Sequence, residues 1–161
     1  MNQSLLEGAK IVMPDLPLAA GTEFATAGNG VHMENYRRCL IILGMDQAGA
    51  GTGTVTLKQG TSASAATALA FARYWKNETG VTTDALTKVT ATTLTTAGAN
   101  TSGLNLYAFD VQASDLTTDN LNDWVRLNMA SLSNNTAVFL MYILYDPRYP
   151  AAADATITGL A

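Results

Sequence analysis

The side chains best suited to nucleophilic chemistry are a single cysteine, Cys39, and a single histidine, His32. They lie seven positions apart, so a Cys–His dyad is conceivable. A serine triad would need the same histidine, and the chain has no G-x-S-x-G sequence to present a nucleophilic serine. Cys39 opens the apolar run that ends at Leu43, where a cysteine usually acts as a small buried hydrophobic residue. We therefore expect Cys39 to be buried and the protein not to be an enzyme.

Four aspartates recur every four or five positions, which invites comparison with a calcium-binding loop: Asp110, Asp115, Asp119 and Asp123. The central glycine and the bidentate glutamate of an EF-hand are missing, so turn and capping roles are the better interpretation. The spacing singles out no carboxylate pair of the glycosidase kind. Zinc sites need several cysteines or histidines at fixed spacing. We expect no metal and no other cofactor.

The glycine-rich segment 49–53 resembles a phosphate-binding loop only superficially. It has no lysine at the P-loop position, and a strand rather than a helix is predicted after it. We interpret it as a connection between two strands.

Charge argues against nucleic acids and membranes as partners. The net charge is −4, and of the nine basic residues only Arg37 and Arg38 are adjacent, whereas nucleic-acid and anionic-membrane surfaces require clustered lysine and arginine. Only 14% of the residues are charged, against about 25% in a typical domain. Such a chain must coat its surface with small polar residues, here 22 threonines among others, or hide it against other chains. We expect a homo-oligomer, with a trimer favoured and a dimer possible.

One cysteine cannot form an internal disulfide, so a reducing compartment of synthesis is expected. The N-terminus has neither the basic region nor the continuous apolar region of a signal peptide, so none is expected. Apolar runs fall short of the roughly 18–20 residues that a membrane span needs.

The elements that would position these side chains are predicted to be strands. After residue 36, apolar and β-branched runs alternate with turn-forming clusters, which favours an all-β sandwich or barrel of about seven strands. The predicted strands are 38–45, 52–59, 67–75, 86–96, 104–111, 123–130 and 136–145. The first is apolar enough to be buried on both faces, and a short helix is the alternative for 67–75 because of its alanines. The last two are predicted to form a hairpin, and Ser114 is predicted to cap one helical turn.

Three parts of the chain are predicted: an N-terminal arm, 1–35, a β-sandwich domain, 36–150, and a C-terminal tail, 151–161. The arm is irregular, with Pro14 and Pro17 and several glycines, and short strands near Ile11 and Phe24 are possible. Its apolar residues suggest that it is ordered against a partner. The residues predicted to bind that partner are Leu5, Leu6, Ile11, Val12, Leu16, Leu18 and Phe24.

Eight tyrosines and tryptophans could build a sugar-binding platform, although such residues more often lie in the core or an interface of a β protein. They are Tyr36, Tyr74, Trp75, Tyr107, Trp124, Tyr142, Tyr145 and Tyr149.

Three segments between roughly residues 36 and 150 form a recognisable order: the Thr/Gly-rich strand 53–59, the segment Leu-Asn-Asp-Trp-Val-Arg-Leu at 121–127, and the final apolar strand ending in Tyr-Asp-Pro-Arg-Tyr at 145–149. In this order the chain resembles small head structural proteins of tailed bacteriophages and prophages. The resemblance implies a capsid decoration, or cement, protein with a β-sandwich of jelly-roll type. It further implies a location on the outside of the phage head, with the major capsid protein as partner and the host cytoplasm as the site of synthesis.

A carbohydrate-binding β-sandwich module of a head or tail fibre is the alternative function. The two differ in whether an exposed aromatic platform binds glycans.

Overall fold

A computed structural model of the chain describes residues 8–14, 28–47, 53–78, 85–95, 104–117, 123–130 and 135–148. Within these residues it contains eleven β-strands and one turn of 3-10 helix, and every strand pairing is antiparallel. The all-β prediction is confirmed, in the form of two antiparallel sheets.

The strands are numbered in chain order. They are β1 (Lys10–Val12), β2 (Val31–His32), β3 (Tyr36–Gln47), β4 (Thr54–Gly60), β5 (Thr67–Leu69), β6 (Tyr74–Asn77), β7 (Thr87–Val89), β8 (Leu94–Thr95), β9 (Leu104–Gln112), β10 (Trp124–Ala130) and β11 (Asn135–Pro147), and the 3-10 turn spans Ala113–Asp115.

One sheet has six strands in the order β1-β11-β3-β9-β6-β7. The other has the order β2-β10-β4-β5, and β8 pairs with β4 beside β5. The chain changes sheet at most of its connections. β3 and β11 form the longest pairing, which runs from Tyr36 opposite Pro147 to Gln47 opposite Asn135.

A single hydrophobic core lies between the two sheets. Alternate residues of each strand point into it, as the two-residue period of a β-strand requires. On β3, for example, Cys39, Ile41 and Leu43 have no exposed surface. Leu127 on β10 faces them from the five-stranded sheet and is also fully buried. Burying each such aliphatic side chain contributes about 1.5–3 kcal/mol.

Two predicted strands are each divided between the sheets. Residues 67–75 form β5, which pairs with β4, and β6, which pairs with β9 in the opposite sheet. Residues 86–96 likewise divide into β7 and β8. The prediction of a single strand, and its helical alternative, are both wrong here because the chain crosses between the sheets within four residues in each segment. Composition alone does not reveal such a crossing.

The predicted hairpin of the last two strands is also wrong, because β10 and β11 belong to different sheets. A short polar connection has the same composition whether it reverses the chain within a sheet or carries it across. The two strands meet across the sandwich instead. The Tyr142 hydroxyl accepts a hydrogen bond of 2.9 Å from the Leu127 N–H. Strand β2 pairs only with Trp124 and Val125 of β10, so it does not extend to Leu127.

The predicted arm contributes a strand to each sheet. β1 confirms the strand expected near Ile11, and the Phe24 region lies outside the described residues. Val31 and Met33 are buried in the core, so the sandwich includes residues before 36. The tail, 151–161, also lies outside the described residues.

The helical turn predicted after β9 is present as the 3-10 turn, but Ser114 lies inside it and does not cap it. The residue before the turn is Gln112, whose N–H donates to Asp115 Oδ2 at 3.0 Å. Among the described residues, no helix has the length and apolar character required to cross a bilayer.

Candidate interaction surfaces

Cys39 and His32, the residues considered for nucleophilic chemistry, lie in different sheets. Cys39 lies on the inner face of β3, and burial raises the pKa of its thiol far above the usual range, which makes it a poor nucleophile. The prediction that Cys39 is a buried hydrophobic residue is confirmed. His32 is a partly exposed residue of β2 at the edge of the five-stranded sheet.

The His32 imidazole joins a small polar cluster on the outside of the five-stranded sheet. Its Nε2 lies 2.5 Å from Asp123 Oδ2, and its Nδ1 lies 3.5 Å from Glu34 Oε2. The ring stacks on Trp124, the residue opposite it in register, with a centroid distance of 4.8 Å. These contacts fasten the two-residue strand β2 to β10, so the cluster has a structural role.

A second cluster closes one end of the six-stranded sheet's outer face. Arg38 pairs with Asp110 Oδ2, and the Tyr145 hydroxyl donates to the other carboxylate oxygen at 2.9 Å. The Arg38 guanidinium also lies 5.2 Å from the centre of the Tyr145 ring, within cation–π range. Burial, with the hydrogen bond to Asp110, raises the pKa of Tyr145 to about 12. The positive and negative charges of this cluster therefore neutralise each other.

The remaining aspartates of the four-membered series serve local structure where the structure describes them. Asp115 belongs to the 3-10 turn and Asp123 contacts His32, while Asp119 lies outside the described residues. No group of three or more histidine, cysteine or acidic side chains able to hold a metal is found among the described residues.

Lys76 and Glu78 form a third cluster near the free end of β6. They form an ion pair, and the Tyr107 hydroxyl donates to Glu78 Oε1 at 2.8 Å. Burial and this hydrogen bond raise the pKa of Tyr107 above its usual range. The contacts satisfy a buried phenol at the end of the core.

The outer face of the six-stranded sheet is apolar. Strand register places its central outward side chains in three apolar rows across the strands, and Asp110 and Lys88 bound the first and second rows. The rows are Ile11, Ile143 and Leu40; then Met141, Ile42, Ala108 and Trp75; then Phe139, Gly44 and Leu106. These residues are called the apolar face below. They do not belong to the described core cluster or to the described hydrophobic residues packed against it.

Gly44 has a specific role on this face. A Cβ built there would lie 1.8 Å from Cε1 of Phe139, the residue opposite it on β11, so the phenyl ring occupies the space that a side chain would fill. The ring therefore lies over Gly44, and any side chain at position 44 would displace it.

The outer face of the five-stranded sheet is polar instead. It carries Thr54, Thr56 and Lys58 on β4, with Asn128 opposite Thr56 on β10. The Asn128 amide and the Thr56 hydroxyl lie at hydrogen-bond distance, 3.4 Å. We call these four residues the polar face.

A loop of the chain covers one end of this second sheet. Arg126 lies beside the polar face and is only 6% exposed, because its Nε donates to the Ala65 carbonyl at 3.0 Å. A Cβ on Gly60 would lie 2.8 Å from the Ala65 Cα, so the loop after β4 folds back closely over that strand end.

A cleft of about 560 Å³ lies where β3 begins and β11 ends. Three arginines line it, Arg37, Arg38 and Arg148, together with Asp146 and the 3-10 turn. Asp110 neutralises Arg38, and Arg148 Nε donates to the Tyr36 carbonyl at 3.4 Å. The adjacent arginines thus serve different purposes: Arg38 belongs to an internal ion pair, while Arg37 is exposed.

The aromatic residues do not form one platform among the described residues. Tyr74, Tyr107 and Tyr142 are buried in the core, whereas Trp75 lies on the apolar face and Tyr145 at its end. Trp124 is on the outside of the opposite sheet, and Tyr149 lies outside the described residues.

Two of the residues predicted to bind a partner are described by the structure. Ile11 is 44% exposed on the apolar face, and Val12 packs against the core. The other five, in the list Leu5, Leu6, Leu16, Leu18 and Phe24, lie outside the described residues, so partner binding by the arm stays a prediction.

Sequence reasoning did not identify the apolar face as a surface. The available signal was the pair of apolar strands that became β3 and β11. Burial on both faces was expected for β3, but in the described chain only the inner face meets a partner sheet.

Comparison with known proteins gives no identification: no family model, no curated protein and no solved structure matches this chain.

Proposed function

We propose that the protein is a virion structural protein, a capsid decoration protein that binds the exterior of a phage head and stabilises contacts between major capsid proteins. The fold that we assign to it is a jelly roll. The observation that carries the proposal is the nesting of its strand pairs, together with the short segments through which the sequence resembles phage head proteins.

The strand pairs are nested from the two ends of the described chain inward. β1 pairs with β11, β2 with β10, β3 with β9, and β4 with β8. A long antiparallel hairpin rolled into two sheets gives this arrangement, which is the basis of jelly rolls in capsid proteins. The strands β5 to β7 then form an excursion at the tip of the roll. This pattern supports the jelly-roll assignment independently of the resemblance.

The arginines of the resembling segments hold the fold together. Arg126 binds the Ala65 carbonyl, and the Arg148 backbone N–H donates to the Asn35 carbonyl at 2.9 Å. Arg148 Nε also reaches the Tyr36 carbonyl. Both segments therefore fasten connections to the body, a role suited to a protein whose function is mechanical.

A cement protein works by adding buried area across the joints between capsomers. Specific binding needs an interface of about 1,200–2,000 Å² in total, and repetition over a symmetric shell multiplies weak contacts through avidity. The low charge of the chain leaves apolar surface for such contacts. We assign the gripping role to the apolar residues of the arm, and we assign self-association to the folded body.

Substitution tests the gripping role better than deletion, since removing residues 1–35 would also remove β1, β2 and the core residue Met33. We expect a variant with Leu16, Leu18 and Phe24 changed to serine to fold normally. It should lose most of its binding to decoration-free heads, as measured by co-sedimentation. The control is Thr56→Ala on the polar face, which should bind as the unmodified protein does.

Two results would contradict this assignment. Saturation of heads by the serine variant at unmodified affinity would show that the arm is not the gripping element. Failure of the unmodified protein to bind any head would remove the capsid role.

The carbohydrate-binding alternative has one observation in its favour. Trp124 is a partly exposed indole on the outside of the five-stranded sheet, near polar side chains. Its ring already stacks on His32, which leaves at most one face for a sugar. Glycan-array binding that disappears in Trp124→Ala would favour this function over the capsid role.

A further inference from the structure

The apolar face is unusual for the exposed side of an antiparallel sheet. Such sheets commonly alternate apolar residues toward the core with polar residues toward water. Here β3 carries Leu40 and Ile42 outward, in alternation with Cys39, Ile41 and Leu43, which point inward. β11 repeats the pattern with Met141 and Ile143.

The apolar face is of the size of the apolar centre of an interface. Its three rows hold ten strand positions. Each position covers about 4.8 Å by 6.8 Å, so the face covers roughly 330 Å² in projection. That lies within the range of about 300–600 Å² for the largest apolar patch of a monomer. A standard interface buries about 800 Å² on each partner, and this figure includes a polar rim around an apolar centre.

The charges at the edge of the face indicate which partner fits. Arg38 and Asp110 neutralise each other at one end, and the Tyr145 hydroxyl satisfies the second carboxylate oxygen. A second copy of the same face would thus oppose apolar residues to apolar residues and leave no unpaired charge of this cluster to be buried. A strongly charged partner would find no complementary charge on the three rows.

We propose that the apolar face binds the same face of a second copy of this chain, so that two sandwiches stack through their six-stranded sheets into a dimer. The pairing is isologous, because each copy contributes the same patch. A dimer is the smaller of the two oligomers expected from the sequence, a trimer and a dimer. The inference rests on the self-association that we propose above, but it does not depend on the capsid role.

The test compares the same charge on the two outer faces. Ile42→Lys places an ammonium at the centre of the apolar face, where burial without a partner is strongly unfavourable. Thr56→Lys places it on the polar face. In sedimentation velocity across a wide range of concentrations, we expect the unmodified protein and Thr56→Lys to have dimer mass. Ile42→Lys should have half that mass, with an unchanged far-ultraviolet circular dichroism spectrum.

Met141→Lys is the second variant, because Met141 lies opposite Ile42 in register but on a different strand, β11. It should also be a monomer, which guards against the possibility that Ile42→Lys unfolds.

Three outcomes would overturn the proposal. The unmodified protein could remain a monomer at the highest concentration, with the face covered by another part of the chain. Both face variants could retain dimer mass, which would place the interface elsewhere. A trimer would also exclude it, since one isologous patch closes at two copies. Binding to decoration-free heads is measured separately, so a monomeric variant that still binds heads would contradict neither proposal.

Discussion

The outer faces of the two sheets differ in the chemical character of their side chains. Both sheets use their inner faces for one common core, and their strands alternate as expected. Outward, the five-stranded sheet presents threonine, lysine and asparagine, whereas the six-stranded sheet presents isoleucine, leucine, methionine and phenylalanine. The first face is suited to water, and the second is suited to another protein surface.

The difference extends to what covers each sheet. On the five-stranded sheet, the loop after β4 folds over the strand end and is fastened there by Arg126. On the six-stranded sheet, the cluster of Arg38, Asp110 and Tyr145 lies at the end of the face. Among the described residues, the three apolar rows are not part of the core cluster. Because the loop after β4 covers one end of the five-stranded sheet, only the uncovered part of that sheet needs polar residues toward water.

The largest effect is expected from the inner face of β3, and its outer neighbour provides the comparison. Ile41→Ala removes a fully buried side chain and should lower the free energy of unfolding by about 3–4 kcal/mol. Ile42→Ala makes the same chemical change one residue later on the apolar face. We expect about 1 kcal/mol from it when the protein is dilute, measured by urea denaturation.

The dependence on protein concentration distinguishes Ile41→Ala from Ile42→Ala further. Dimerisation links folding to association, so the loss caused by Ile42→Ala should grow as the concentration rises, while that of Ile41→Ala should stay constant. Equal losses from both substitutions at all concentrations would mean that the apolar face is covered within one chain.

A smaller loss of stability is expected from Arg126, which holds the loop after β4 over the five-stranded sheet. Arg126→Ala removes the hydrogen bond to the Ala65 carbonyl and exposes the loop, which should cost about 2 kcal/mol in urea denaturation. Its neighbour across the strand pair, Lys58, is only partly buried, so Lys58→Ala should change stability by less than about 0.5 kcal/mol. A loss for Arg126→Ala no greater than that for Lys58→Ala would show that the loop does not depend on the arginine.

How far the sequence predicts the fold differs between the centre and the tip of the sandwich. β3, β4, β9, β10 and β11 are long, and their alternation or apolar character is enough to identify each of them as a strand. Around residues 67–95 the strands shrink to two to four residues. Segments so short carry no measurable period, and the crossings between sheets depend on contacts with β4 and β9 that lie far away in the sequence.

The same limit applies to the surfaces. Apolarity on both sides of β3 was visible in the sequence, but which side would face the core depends on register. The neighbours of Ile42, namely Ala108 and Met141, lie 66 and 99 positions away and are brought beside it only by strand pairing. Burial of Cys39, in contrast, follows from the apolar run around it.

The smallest effect concerns the end of the apolar face. Tyr145→Phe removes the hydroxyl that donates to Asp110, which should cost about 1 kcal/mol at neutral pH. The pKa of Tyr145 is raised to about 12 in the folded protein, first by burial and then by this hydrogen bond, whereas an unfolded tyrosine ionises near pH 10. The stability that Tyr145 provides is therefore fully present below about pH 10 and is lost as the pH rises through about 12.

Chemical denaturation at a series of alkaline pH values measures this contribution. The unmodified protein should lose more stability than Tyr145→Phe between about pH 10 and pH 12. Tyr107 and Tyr142, whose pKa values burial also raises, contribute equally to both proteins, so the difference isolates Tyr145. Tyr36→Phe is the control for losing a tyrosine elsewhere in the same sheet. Identical alkaline slopes for the unmodified protein and Tyr145→Phe would mean that the pKa of Tyr145 is not raised in the folded protein, and that its hydroxyl is neither buried nor held by Asp110.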